Sequence, residues 1–511
     1  MAVLSEITVP RPAMRIVPRR LLRIELRRNA MIWMLPVAVA LFWWQAYRHV
    51  MALPPMWNVR AMTMQNDALL DFSMPVAGAA AWMGWRERRR DVTELLTSTA
   101  QVRWARNLAT WAATTCWALG GYLACVAVVY GITARQATWG GPLWWPVIVG
   151  AVGIPALSAF GFTAGALLPG RFTTPLVTMV AFFGLGFSSS AASGDHSYLL
   201  ISPLIADWVD VGADPGVATF YRYLPDLPIA QIMFLAGITI ALLGLLGVVT
   251  GPVSSQGRRL RAAAAVLTAC GLAASGTAVA LAGTAHLDAH GMTVIPALHD
   301  TASDQPVPYT PVCGGEVPVC LQPAYSAYLP AVIRALEPVL AAVAGLPGAP
   351  ARLSQVAEVY RQLTGNGILA GGGDGSAGYF TLPPVPGWEG VTSADFASQL
   401  VLNAAVPLVS GVLGIPARGA ASPAQEAVLS GLTRIGAVQG SGAGQGAGAG
   451  QGGIKQGLLP QPGSPAALAA RHFAALPASA QHAWLRQHLS ALRSGQVTLA
   501  QLPLETGEDR A

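Results

Sequence analysis

Apolar residues run in seven long stretches through the first 285 or so residues, and arginine clusters fall between them on alternate sides. A helix needs roughly 20 apolar residues to cross a hydrocarbon core about 30 Å thick. Inside lipid every backbone N–H and C=O must be bonded within the protein, so each stretch predicts a helix. The predicted spans are 29–47, 68–85, 107–132, 143–168, 174–192, 228–249 and 262–285. From residue 286 the pattern changes to polar sequence rich in Pro and Gly, with helical periodicity at 325–346 and 479–492. Arg334 and Glu337 share a face of the first helix, and Ser479 stands where an N-cap would begin the second. Between these helices, residues 440–453 are almost all Gly, Ala, Ser and Gln, the composition of a flexible linker.

The expected fold class is therefore an all-α polytopic membrane protein with about seven transmembrane helices and a mainly helical extracytoplasmic C-terminal domain. Residues 1–28 form a basic, cytoplasmic, interfacial segment, 29–285 the membrane domain, and 286–511 the tail. Only 11% of residues are charged, far below the roughly 25% of soluble domains, which agrees with a membrane class. The first apolar run follows an Arg- and Pro-rich start and reads as an anchor, not a cleaved signal. One further run, 396–415, has no charge. An eighth span is one reading. A buried amphipathic helix is preferred, because the run holds Ser398, Gln399, Asn403, Pro407 and Ser410.

Charge sets the expected orientation. Seven arginines lie among residues 11–28 and six among 86–106, joined by Arg171 and by Arg258, Arg259 and Arg261. The opposite loops carry only Arg48, Arg60, Arg135 and Arg222. That asymmetry places the N-terminus in the cytoplasm of a multi-pass plasma-membrane protein, and an odd span count puts the tail outside. Arginine beside spans serves anionic lipid, so no nucleic-acid partner is expected. In an oxidising compartment, Cys313 and Cys320 should form a disulfide, with Gly314, Gly315 and Pro318 turning the chain between them. With the tail inside, they would be free thiols or metal ligands.

Motifs for common chemistries are missing. The only lysine, Lys455, does not sit in a Gly-x-x-x-x-Gly-Lys-Ser/Thr loop, and neither a His-Glu-x-x-His nor a Gly-x-Ser-x-Gly pattern occurs. His286, Asp288 and His290 alternate beyond the last span, but a solvated juxtamembrane segment explains them, so neither metal nor cofactor is expected. Asp67 and Asp71, at the start of the second span, read as a solvated helix start favoured by the helix dipole. The sequence between the second and third spans is more distinctive. Asp91 can cap a short helix containing Thr93, Glu94, Leu95 and Leu96, followed by Thr97, Ser98 and Thr99.

A charged Arg/Glu segment, then Thr-Glu-Leu-Leu-x-Ser/Thr, then a basic stretch entering the third span, resembles the permease subunits of ABC transporters of the second exporter class. The resemblance covers residues 1 to about 250. It implies that Asp91, Thr93, Glu94, Leu95, Leu96 and Thr97 form the coupling helix that fits a groove in a separate ATPase subunit. It also implies a dimer of permease subunits, export of a hydrophobic or peptide-like substrate, and no enzyme activity in this chain. Residues 15–28 resemble that family's interfacial elbow helix, although Val17, Leu21 and Ile24 share one stripe while Leu22 and Leu26 fall elsewhere. Residues 195–226 are placed like its re-entrant outer segment. The seventh span and the tail depart from the usual six-span member. Competing readings are a membrane-anchored receptor or enzyme, and an ion-coupled carrier.

Overall fold

The computed structural model describes residues 18–47, 51, 55–89, 102–191, 197–205, 217–251, 255–288, 292–357, 370–371, 377–386, 391–415, 421–434 and 460–503. Apolar helices stand at all seven predicted positions. After the short helix α1 (Pro18–Arg27) come α2 (Met31–Trp44), α3 (Trp57–Gln65) and α4 (Asp67–Gly84). A four-residue helix α5 (Arg86–Arg89) continues α4, then α6 (Arg103–Gln136), α7 (Trp145–Leu167), α8 (Thr173–Ser190), α9 (Asp226–Thr250) and α10 (Ser255–Ala282) complete the bundle.

Among the described residues six helical segments are long and apolar enough to cross a membrane, which fits a multi-pass membrane protein. Four belong to the bundle: Arg103–Gln136, Trp145–Leu167, Asp226–Thr250 and Gly257–Ala282. Helix α2 is shorter, with Pro36 inside it. Helix α6 begins four residues before its predicted span and ends four after it. At 1.5 Å per residue it is about 51 Å long, so it outruns the hydrocarbon core.

Small residues let the helices approach. Helices α4 and α7 lie so close that a Cβ placed at Gly161 or Gly165 would collide with the carbonyl oxygens of Ala77 and Ala81. Gly161 and Gly165 are four apart, as are Ala77 and Ala81, so both pairs lie on the facing stripes. Between apolar helices in lipid there is little hydrophobic gain from association, and dispersion at close range has to replace it. Helix α4 also packs on α2, α6 and α8, and α7 on α9, which forms a hairpin with α10. Helix α8 is the most peripheral of these: only Val177 and Ala181 are buried, while Leu176, Met179, Val180, Phe183 and Phe187 face outward.

The tail holds a sheet that the sequence pattern did not announce. Strands β1 (His286–Leu287) and β2 (Thr293–Val294) pair as a short antiparallel ribbon. A five-stranded sheet follows, from β3 (Val312–Gly314), β4 (Val319–Leu321), β5 (Arg352–Val356), β6 (Ala370–Gly371) and β7 (Ala377–Thr381). Its order is β3-β4-β5-β7-β6, with β4, β5 and β7 parallel and the two outer strands antiparallel. Helix α11 (Leu329–Val343) supplies the crossover from β4 to β5, which a parallel pair requires. It falls within the periodic stretch 325–346.

The run at 396–415 is divided between α12 (Ser393–Leu400), a π-helical turn (Val401–Ala405) and α13 (Val406–Val412). Ser393–Val412 and Pro323–Val343 are the other two segments apolar enough to span. Both bury their apolar faces in the tail core, where Val332, Leu336, Phe396, Leu400 and Val409 pack together. Helices α14 (Pro423–Thr433), α15 (Pro465–Ala475) and α16 (Ala478–Arg493) close that core. Ser479 does not cap α16: the N-cap is Pro477, which has no side-chain donor or acceptor, and the helix starts two residues earlier than a cap at Ser479 would place it. The Gly-rich linker at 440–453 lies outside the described residues.

The expected disulfide is present. Cys313 and Cys320 are cross-strand partners of β3 and β4, and Gly315 turns the chain between them with φ +91. A loop this short contributes only about 2 kcal/mol by the chain-entropy relation. Replacing both cysteines with serine should therefore loosen the hairpin without unfolding the tail. Faster amide exchange confined to β3, β4 and their turn is the expected outcome.

Candidate functional site

Two clusters of polar side chains mark the opposite ends of the bundle. At the first end, where α4 stops and α6 starts, acids lie among the arginines. Glu25 of α1 accepts two hydrogen bonds from Arg86, at 2.8 and 2.7 Å, and both groups are largely buried. Glu87 stands 3.2 Å from Arg103 and 3.6 Å from Arg106. The Arg89 guanidinium lies over the Trp82 ring, 3.6 Å from its centroid. A bidentate, largely buried pair such as Glu25–Arg86 is stronger than an exposed ion pair. Together these contacts join α1 to α5 and tie residue 87 to residue 103.

The expected coupling residues, Asp91, Thr93, Glu94, Leu95, Leu96 and Thr97, lie outside the described residues. What is described is both stems of that segment, held together through Glu87. Helix α1 itself packs along α6, and Trp117 donates its indole N–H to the Leu26 carbonyl. Ile24 stays exposed, so the imperfect apolar stripe divides between protein and surroundings. Glu25 and Glu87 were not singled out as site residues from the sequence, although both stand among the arginines.

At the other end, Gln65 and Gln231 are both fully buried. The Gln65 amide donates to the carbonyls of Pro203 and Ile205 and to the Gln231 side-chain oxygen. The Gln231 amide donates to the carbonyls of Leu200, Ser202 and Ile205. Non-helical backbone at membrane depth is tolerated only where protein satisfies it, and these two glutamines do so for the short 3₁₀ turn Tyr198–Ile201 and the residues after it. The described residues 197–205 of the segment expected to re-enter are thus pinned to α3 and α9. Among the described residues the Gln65 Oε1 atom has no hydrogen-bond partner.

Asp226, the first residue of α9, is fully buried. Its Oδ2 atom accepts the Ile295 backbone N–H at 3.0 Å and faces His299 Nδ1 at 3.2 Å. On the other side of the ring, His299 Nε2 stands 3.0 Å from Asp304 Oδ1. Burial alone would lower the His299 pKa. The Asp304 contact and the negative charges of Asp226 and Asp304 outweigh it, so the value lies above the ordinary 6.5. With an acid at each ring nitrogen, His299 is the centre of a clamp between a bundle helix and the tail. Thr138 donating to the Pro323 carbonyl, Gln322 donating to the Thr219 carbonyl, and Met56 and Val59 entering the tail core add to the same junction.

Other expected residues fall differently. Asp71 is not a solvated helix start: it is 4% exposed, packed inside the bundle because α2, α6 and α8 surround α4. His286 pairs within the β1–β2 ribbon, and His290 lies outside the described residues. Among the described residues no group of three or more His, Cys, Asp or Glu side chains converges as metal ligands would. No family model matches the chain, and neither a curated protein nor a solved structure is similar to it.

The clamp has a definite pH dependence. Because the folded-state value of His299 is raised, its stabilisation is complete below pH 6.5 and is lost as pH rises through the folded-state value. Amide exchange at Thr293–Val294 and Ile295 should accelerate over that rise. His299→Ala should remove the dependence and weaken the junction by on the order of 3 kcal/mol, since it leaves the buried Asp226 carboxylate without its side-chain partner.

Proposed function

We propose that this protein is the membrane-spanning subunit of an ATP-driven ABC exporter, working as a dimer with a separate ATPase. The observation that carries the reading is the polarity of the bundle. The arginine end holds the closed stems of the 91–97 segment, while the tail docks on the far end. In this reading the arginine end is cytoplasmic, in keeping with the positive-inside rule, and the disulfide-bearing tail is outside. The seven apolar helices of the bundle all cross.

The ion pairs give the segment a mechanical role. Glu87 ties α5 to the start of α6, so a push on residues 91–97 is delivered to α4 and α6 together. The Glu25–Arg86 pair passes it to α1. A bundle responds to a partner only if the partner binds one arrangement better than another. Leu95 and Leu96 are the apolar anchors for that contact, and Glu94 the charged one. The tail, clamped to α9 through Asp226 and His299, is then placed to follow or restrain the outer ends of the helices.

Two outcomes test this. Leu95→Gln combined with Leu96→Gln should abolish stimulated ATP hydrolysis and transport while leaving membrane insertion unchanged. Normal transport by the double variant would reduce the segment to a positively charged loop. Protease added to intact spheroplasts should remove the tail; complete protection would reverse the orientation.

A further inference from the structure

Helix α1 has two faces of different character. The inner face is fastened to the bundle. Glu25 is held by Arg86, the Leu26 carbonyl accepts from Trp117, and Asn29, just past the helix, donates to Thr114 at 3.0 Å. Leu22 and Leu26, one turn apart, are half-buried on that side. The outer face reads Arg20, Arg23, Ile24 and Arg27, spaced by three and four residues, and all four are exposed. Among the described residues none of these three arginines has a carboxylate partner. The acids nearby are already engaged: Glu25 turns inward to Arg86, and Glu87 takes Arg103 and Arg106. Three unneutralised guanidinium groups therefore stand in a row over roughly 10 Å of helix.

Two further observations say what meets this row. Ile24 is 53% exposed in the middle of it, so the partner offers an apolar region as well as negative charge. The second is placement. Only three residues separate α1 from the membrane helix α2. Trp33, in the first turn of α2, is 79% exposed, as an indole at a membrane–water border is. The outer face of α1, turned away from α6, thus stands at the level of lipid headgroups.

We propose, independently of the coupled-ATPase reading, that the outer face of α1 binds the phosphate groups of anionic phospholipid, with Ile24 entering the edge of the acyl region. Guanidinium forks match phosphate oxygens in pairs, and the arginine stems lie along apolar surface while their heads reach the phosphates. An acidic protein could neutralise the arginines, but it would have to displace the bilayer border from a helix joined so closely to α2. Lipid loads α1 from outside while Arg86 holds it from inside. The anionic content of this leaflet then sets how firmly α1 supports the end of α4.

The full chain in phosphatidylcholine nanodiscs, doped with a phosphatidylglycerol that carries a diazirine near its headgroup, tests this. After photolysis the peptide Pro18–Arg27 should label saturably, and the matching phosphatidylcholine probe should not saturate. Arg23→Gln combined with Arg27→Gln should raise the half-saturating probe fraction roughly thirtyfold, or about 2 kcal/mol, since an anionic surface supplies about 1 kcal/mol per arginine. Arg258→Gln combined with Arg259→Gln removes the same charge from exposed arginines of α10 and should leave α1 labelling unchanged. Both variants keep the Glu25–Arg86 pair. Ile24→Ser, which changes no charge, should weaken labelling about fivefold through lost apolar contact. Equal effects of the two double variants would reduce the row to diffuse positive charge and overturn the proposal. Equal labelling by both probes would overturn it too, as would an Ile24→Ser variant that labels normally. So would α1 arginines covered by a co-purified protein with no labelling in nanodiscs.

Discussion

Backbone contact between α4 and α7 is the constraint on which the rest of the bundle depends. Gly161 and Gly165 let the two helices touch where Ala77 and Ala81 expose their carbonyls. No hydrophobic gain drives helices together in lipid, so the pair must be held by short-range dispersion over a long seam. Because α4 also meets α2, α6 and α8, and α7 meets α9, the seam sets the spacing of the remaining helices. It brings Gln65, the last residue of α3, to Gln231 in α9.

The polar groups follow a division of labour between the ends. At the arginine end, carboxylates are paired with largely buried guanidinium groups, and the bidentate Glu25–Arg86 pair both orients α1 and holds it. At the tail end, the polar groups are dry. The glutamine amides and Asp226 satisfy backbone that would otherwise be unbonded in an apolar setting, and there each pairing matters more. The tail is consequently not a loosely tethered domain. It shares core residues with α3 and the Asp226–His299 clamp with α9.

Much of the architecture was legible in the chain. Twenty-residue apolar runs and alternating arginine clusters are one-dimensional signals, because a span and its flanks are contiguous in sequence. The Cys313–Cys320 pairing was legible for the same reason: the partners are close neighbours with a glycine turn between them. The preference for a buried helix at 396–415 rested on interrupting polar residues, and the π-helical turn at Val401–Ala405 falls among them.

The rest was decided by tertiary structure. The tail strands are two to five residues long, too short for an alternating pattern to stand out from loop sequence. Gln65 and Gln231 are 166 positions apart, and Asp226 and His299 are 73 apart. Nothing local distinguishes such residues from solvated ones until the fold brings them together in a dry place. Asp71 illustrates the same limit in reverse. Its position at a helix start was correctly read, but whether water reaches it depends on three neighbouring helices. Sequence alone determined which segments leave water, because transfer free energy adds along a contiguous helix. Which polar atoms meet inside was left to packing, because burial and pairing are properties of neighbours that the chain's order does not contain.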